Sequence, residues 1–167
     1  MSEARFRPAA KADLAALLPV VREFHAHEHI AWNPVRVQDA LEALLADTDL
    51  GRLTLIERDG ELAGYLLVGF CFSLEFGGRY GLLDELYVRP EYRGGGVGKR
   101  ALQHVEAICR EQGFACVRLE VSDDNPHARG IYRRHQYMEP PRRLMTRWLD
   151  RVAADQPHIG QPTRSES

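Results

Sequence analysis

Residues 87–109 read YVRPEYRGGGVGKRALQHVEAIC. Three consecutive glycines, Gly94 to Gly96, separate an apolar, strand-like run from a long amphipathic one. Glycine lets a backbone approach a ligand closely, and the first amides of a helix lack partners inside it. A glycine loop that opens a helix therefore suits a phosphate, whose charge the helix dipole also favours. The alternative is a capping turn with no ligand, but three adjacent glycines cost conformational entropy that a cap alone does not require. Lys99 and Arg100 add positive charge at the rim.

Three templates separate the kinds of phosphate. A nucleotide P-loop needs Gly-x4-Gly-Lys-Ser/Thr; counting from Gly98-Lys99 puts Arg93 first and Arg100 last, so both ends fail and the metal-binding hydroxyl is absent. Gly96-Val97-Gly98-Lys99-Arg100-Ala101 formally fits the dinucleotide fingerprint, with Glu120 near the end of the next strand. That fold turns tightly at the strand end, however, whereas Arg-Pro-Glu-Tyr-Arg intervenes here. The third template, Arg/Gln-x-x-Gly-x-Gly/Ala, is met by Arg93, Gly96 and Gly98.

Downstream, Val97, Ala101, Val105 and Ile108, with Leu102 and Cys109 beside them, predict a four-turn helix ended by Gly113. Residues 114–121 predict a strand, 126–135 a short helix, and 143–149 a last alternating strand. Upstream, residues 4–8 suit a first strand. Leu14, Leu17, Leu18, Val21 and Phe24 recur at helical spacing, interrupted by Pro19, which is expected to bend or break the helix. Asn33-Pro34 breaks the chain before a second helix over 37–46. Residues 52–58 alternate, Asp59-Gly60 signals a hairpin, and 62–72 return as a long strand. A second turn at Glu75-Phe76-Gly77-Gly78 leads to a strand over 80–88. The order is β-α-α-β-β-β-α-β-α-β, a single α/β (α+β) domain over 3–149 with a mixed, mostly antiparallel sheet. Residues 150–167 lose periodicity and are expected to be a poorly ordered tail.

A chain of 167 residues with 44% hydrophobic and 28% charged residues can bury a core as one domain. The net charge of −2 argues against nucleic acid as a partner. Arg142, Arg143 and Arg147 read as a solvated strand face. Cys71, Cys109 and Cys116 lie in apolar contexts without CxxC spacing, which suits reduced thiols in the cytoplasm. The first residues contain no apolar core of signal-peptide length, and no run approaches a membrane span, so no membrane partner is expected.

Two motifs in this order resemble the GNAT N-acetyltransferase superfamily. LLDELYVRPEYRGGGVGKRAL is similar to its acetyl-CoA signature, and NPHARGIYRRHQY to its Asn-x-x-Ala-x-x-x-Tyr segment through Asn125, Ala128 and Tyr132. The resemblance implies acetyl transfer from acetyl-CoA, as co-substrate, to a primary amine of a small molecule or peptide, with no metal. Arg93, Gly94, Gly95, Gly96, Val97, Gly98 and Lys99 would hold the diphosphate. Leu86, Tyr87 and Val88 would offer backbone groups to pantetheine and the thioester carbonyl, with Asn125 contacting pantetheine from the neighbouring strand end. Asn125 before Pro126 is equally a helix cap. Tyr132 would be the general acid, its phenol protonated at neutral pH with an ordinary pKa of ~10; the alternative is packing. Glu85 is the candidate base, or else a carboxylate that orients the substrate ammonium. Alternation places Asp84 and Glu85 on opposite faces. His25 and His29 in HAHEH share a helical face as a metal pair would; the reading preferred is that His25, Glu28, His29 and Trp32 border the acceptor site. Gln136-Tyr137 stands where the family often has Gly-Phe. A CoA-binding module without turnover and a different acyl group are the rival readings, and a homodimer through the last strand is implied by the family.

Overall fold

Asp59 and Gly60 both adopt left-handed backbone, with φ of 54° and 85°. They form the two-residue turn that matches strand twist, so β2 (Gly51–Arg58) folds back onto β3 (Glu61–Ser73). The computed structural model describes residues 2–123 and 125–147. β1 (Arg5–Pro8) and β4 (Gly78–Val88) flank this hairpin, and β5 (Val117–Leu119) lies outermost, giving the order β1-β2-β3-β4-β5. All neighbours are antiparallel except β4 and β5, which run parallel.

Helices cover both faces. α1 (Leu14–His27) and α2 (Pro34–Ala46) pack Leu14, Leu17, Val20, Val21 and Leu41 against Leu53, Leu55, Tyr65 and Tyr87. On the other face α3 (Val97–Glu111) packs Ala101, Leu102, Val105 and Cys109 against Leu66, Val68 and Leu83. Each fully buried aliphatic side chain contributes about 1.5–3 kcal/mol, so these seams hold the helices in place. α4 (Pro126–Arg134) adds half-buried Ile131 and Tyr132 to the α3 side.

Four expectations need correction. Pro19 does not break α1; it lies on the exposed side, as does Ala15, whose freed carbonyl can be hydrated, while Leu17, Val20 and Val21 anchor the helix. α2 starts at Pro34 rather than residue 37, because Asn33 Oδ1 caps it by accepting from the Arg36 N–H at 3.1 Å. β5 is three residues long, not eight. Residues 143–147 form no strand: Pro140 and Pro141 precede them, and Leu144 and Met145 are 73% and 92% exposed, with nothing apolar to pin a register. Residues 148 and 149 of that expected strand, and the expected tail at 150–167, lie outside the described residues. Among the described residues, no helix is long and apolar enough to cross a membrane.

Candidate active site

β4 is the element on which the site is built, and an irregularity in it decides which way each residue points. Glu85 lies opposite Leu67 and Leu83 opposite Val68, so Asp84 is an extra residue with no partner in β3. The bulge shifts the phase of the strand. Before it, Leu83 faces α3; after it, Leu86 and Val88 face α3, while Glu85 and Tyr87 face α1. Simple alternation through Asp84 and Glu85 therefore fails at this point.

The hydrogen-bonding direction shifts with it. Before the bulge the Gly81 N–H donates to Cys116 O (3.0 Å), toward β5; after it the Arg89 N–H donates to Ala63 O (2.9 Å), toward β3. Bonded pairs alternate along an antiparallel ladder, so Tyr87 turns its backbone to β3, and Leu86 and Val88 turn theirs away. Pairing with β5 ends at Leu83–Leu119. Beyond that point β4 has no strand partner on this side, and the polar groups of Leu86 and the Val88 N–H face the gap. The Val88 carbonyl accepts from Arg93 Nε at 2.8 Å. Arg93 is thus folded back as a brace between the strand end and the loop, and Tyr87 backbone groups do not face the gap.

At the end of β4 the chain makes a single 3-10 turn (Pro90–Tyr92) and enters the glycines. Gly94, Gly95 and Gly96 have φ of 85°, 58° and 77°, a left-handed run that side chains would strain. Within residues 94–100, the Val97 N–H donates to Gly94 O and the Arg100 N–H to Gly96 O. Among the described residues, the amides of Gly94, Gly95, Gly96, Gly98 and Lys99 have no backbone acceptor. A Cβ added at Gly94, Gly96 or Gly98 would meet nothing within 4 Å, so that side of the loop is open. Unpaired amides, an open face and a helix start make a cradle that fits a diphosphate.

Across β4, Glu85 is held from below. The Tyr65 hydroxyl, in a fully buried side chain, donates to Glu85 Oε2 at 2.7 Å. His25 Nε2 lies 3.8 Å from Oε1, and its buried Nδ1 has no hydrogen-bond partner among the described residues. Trp32 meets His25 edge-on at 5.4 Å between centroids. Burial, then the Glu85 charge, pushes the Tyr65 phenol far up, so it remains a donor. Crowding by the protein, then Glu85 and Glu120, pushes the Asp84 carboxyl up.

Tyr132, on α4, is half-buried against Tyr137 at 5.8 Å between ring centroids. Burial first, and the Glu28 charge second, raises its phenol. Asn125 Oδ1 accepts from the Ala128 N–H at 3.0 Å and caps α4. Gln136 takes the left-handed conformation (φ 66°) that a glycine would hold without strain. α1 ends at His27, and His29 is exposed with φ 56°, so His25 and His29 do not share a helical face. Among the described residues no group of three or more metal-binding side chains converges.

Tyr65 and the bulge at Asp84 were not singled out from the sequence. A tyrosine inside an apolar strand reads as core, and no residue type marks a bulge.

The model of the Acetyltransferase (GNAT) family matches residues 18–137. Thialysine N-epsilon-acetyltransferase from Mus musculus is 30% identical over 146 residues, 80% of this chain and 83% of that protein. L-methionine sulfoximine/L-methionine sulfone acetyltransferase from Pseudomonas aeruginosa is 29% identical over 156 residues, covering 88% and 90%. Among solved structures, an integron cassette protein from the mobile metagenome of Cole Harbour Salt Marsh superposes with a TM-score of 0.77 at 33% identity, covering 87% of this chain and 90% of that one. With the splayed β4, the glycine cradle and matches of this length, the chain belongs to the acetyltransferase (GNAT) family and is an N-acetyltransferase.

Proposed function

We propose that the protein transfers an acetyl group from acetyl-CoA to a primary amine of a small molecule or peptide, by direct attack of the amine on the thioester. The observation that carries this reading is the gap beside β4 beyond Leu83, with the amide cradle of 94–99 on one side and the Tyr65-anchored Glu85 carboxylate on the strand itself.

The cradle amides, helped by Lys99, bind the diphosphate. This directs pantetheine along the free edge of β4, where the polar backbone of Leu86 and the Val88 N–H replace a strand partner. An N–H preorganised there polarises the thioester carbonyl and steadies its developing oxyanion, a contribution of about 3–4 kcal/mol for one well-placed donor. Glu85 takes the proton that the ammonium must lose, directly or through water. The Tyr65 hydroxyl fixes one carboxylate oxygen and leaves the other, on the His25 side, for the amine. Tyr132 donates its proton to the departing sulfur. His25, Glu28 and Trp32 border the acceptor, and the carboxylates of Glu28, Asp84, Glu85 and Glu120 favour a cationic one. Relatives named for thialysine and methionine sulfoximine act on amine-bearing amino acids, which supports this class.

Direct attack is favoured over an acyl-cysteine because burial raises the Cys109 thiol to about 11 and also raises Cys116, opposite to what activates a nucleophile. Cys71 pairs with Tyr80, toward the other end of the sheet.

The test is CoA-thiol release from acetyl-, propionyl- and succinyl-CoA with a panel of polyamines, amino acids, aminoglycosides and peptides. Amine-dependent release that persists when all three cysteines are replaced by serine is expected. Binding of CoA without release for any amine would make the protein a binding module. Release lost in the folded triple variant would overturn direct attack.

A further inference from the structure

Arg58, the last residue of β2, is only 5% exposed. Its Nε donates to the Ser2 carbonyl at 2.9 Å and its Nη1 to the Tyr92 carbonyl at 2.8 Å. Both acceptors are neutral, and among the described residues no carboxylate lies within ion-pair distance of it. The neighbouring Asp59 carboxylate is engaged by the Ser2 N–H at 2.8 Å. The remaining nitrogen, Nη2, lies against the glycine loop: a Cβ on Gly95 would stand 2.9 Å from it. A buried charge is costly unless it is paired. Here a permanent cation is fixed behind the amide cradle with no carboxylate in direct contact, the nearby Asp59 charge acting on it only at longer range.

The two sides of the loop differ accordingly. Gly95 turns its α-carbon toward Arg58, whereas Gly94, Gly96 and Gly98 open to empty space. Arg100, in the first turn of α3, repeats the pattern. Its Nη1 is 3.5 Å from Glu3 Oε1, while its buried Nε and Nη2 have no hydrogen-bond partner among the described residues. Arg58 thus stands behind Gly95 and Arg100 in the first turn of α3, each with guanidinium donors left over, beside a loop with five unpaired amides.

We propose that Arg58 is the positioning residue and fixed counter-charge of the diphosphate cradle. It clamps the Tyr92 carbonyl, which sets where the chain enters Gly94, and its charge is neutralised through the glycine backbone by the diphosphate on the opposite face. This rests on the reading that residues 94–99 bind the diphosphate of coenzyme A. Arg58 need not touch the ligand; it acts through the loop.

The experiment compares acetyl-CoA with S-acetyl-pantetheine, which carries the thioester but no diphosphate, in the full-length wild type, Arg58→Met and Arg58→Lys, with folding checked by circular dichroism. Arg58→Met is expected to raise the KM for acetyl-CoA and the Kd for CoA ~10-fold, the scale of one removed charge at an intermediate dielectric. Its kcat, and its kcat/KM for S-acetyl-pantetheine, should stay within about twofold. Arg58→Lys, which keeps the charge but not the fork, should recover part of the acetyl-CoA loss. Equal losses with both carriers would reduce Arg58 to a structural residue and overturn the proposal, as would an unchanged Kd for CoA. If Arg58→Met does not fold, Arg58→Lys decides by the same comparison: a loss confined to acetyl-CoA supports the proposal, and a loss shared by both carriers overturns it. A wild type that uses both carriers equally well would instead remove the diphosphate reading itself.

Discussion

Tyr65 spends its hydroxyl on one oxygen of Glu85, and this separates two kinds of mutational effect at the site. Glu85→Gln removes the basic lone pair and should lower kcat by about 10²–10⁴-fold, with a smaller change in the KM for the amine. If KM rises instead and kcat holds, Glu85 anchors the ammonium rather than deprotonating it. Tyr65→Phe leaves the carboxylate in place without its tether, so a loss of roughly tenfold or less in kcat is expected, measured by thiol release. Tyr132 yields a prediction in pH. Its folded pKa is raised above the ordinary ~10 by burial and by Glu28, so the phenol stays protonated up to and beyond pH 10. No alkaline fall in kcat below pH 10 should therefore depend on Tyr132, and Tyr132→Phe should lower the whole profile ~10–100-fold at constant CoA affinity. A limb near pH 8 that vanishes in Tyr132→Phe would show that the phenol is acidified, against the burial around it. Glu85 and Tyr132 were named before the structure, Tyr132 by motif spacing and Glu85 by its place on the strand expected to line the cleft. Tyr65 and Arg58 were not, since a tyrosine in LAGYLLV and an arginine before Asp-Gly look like core and surface, and only the fold puts one under a carboxylate and the other under a loop.

Elements read well where local chemistry decides them and poorly where a neighbour does. Asp59-Gly60 and Asn125-Pro126 carry their own turn and cap, and both stand where the sequence placed them. Asn33-Pro34 carries the same cap, yet as a turn signal it reads as a break, so α2 starts three residues earlier than the spacing predicts. β5 and the expected last strand are different: a strand exists only where another pairs with it, and β4 turns away after Leu83. The β3–β4 ladder is the element on which the site depends, and Gly64 tests it. A Cβ at Gly64 would run into the Tyr87 carbonyl oxygen, a backbone atom that cannot rotate aside. Gly64→Ala should therefore push β3 and β4 apart, destabilising the protein by about 2–3 kcal/mol or more in urea unfolding. It should also lower activity by displacing Glu85 and Leu86, which lie on the same stretch of β4. An alanine variant as stable and as active as the parent would mean that the two strands approach less closely than the register describes.

At the scale of the whole molecule, the glycine loop is where separate parts of the chain meet. Arg58 brings the end of β2 and Ser2, Arg93 ties it to the end of β4, and Val97 and Arg100 join it to α3 and, through Glu3, to the N-terminal segment. The unfolded chain has no such convergence, so a ligand that grips the loop binds the folded state alone and stabilises all of it together. Mass action sets the size: at a hundredfold excess over its Kd, CoA should add about 2.7 kcal/mol to the free energy of unfolding. For a chain of 167 residues that corresponds to a rise in Tm of about 5–10 °C. Because the term grows as the logarithm of free ligand, Tm should keep climbing as CoA is raised from ten to a thousand times Kd, and one cooperative transition should move as a unit. If the loop grips the diphosphate as proposed, S-acetyl-pantetheine at the same concentration lacks that group and should shift Tm far less. If Tm were flat across the CoA titration, or if an early melting phase stayed fixed while a later one moved, the loop would not be the place where ligand binding and global stability are linked.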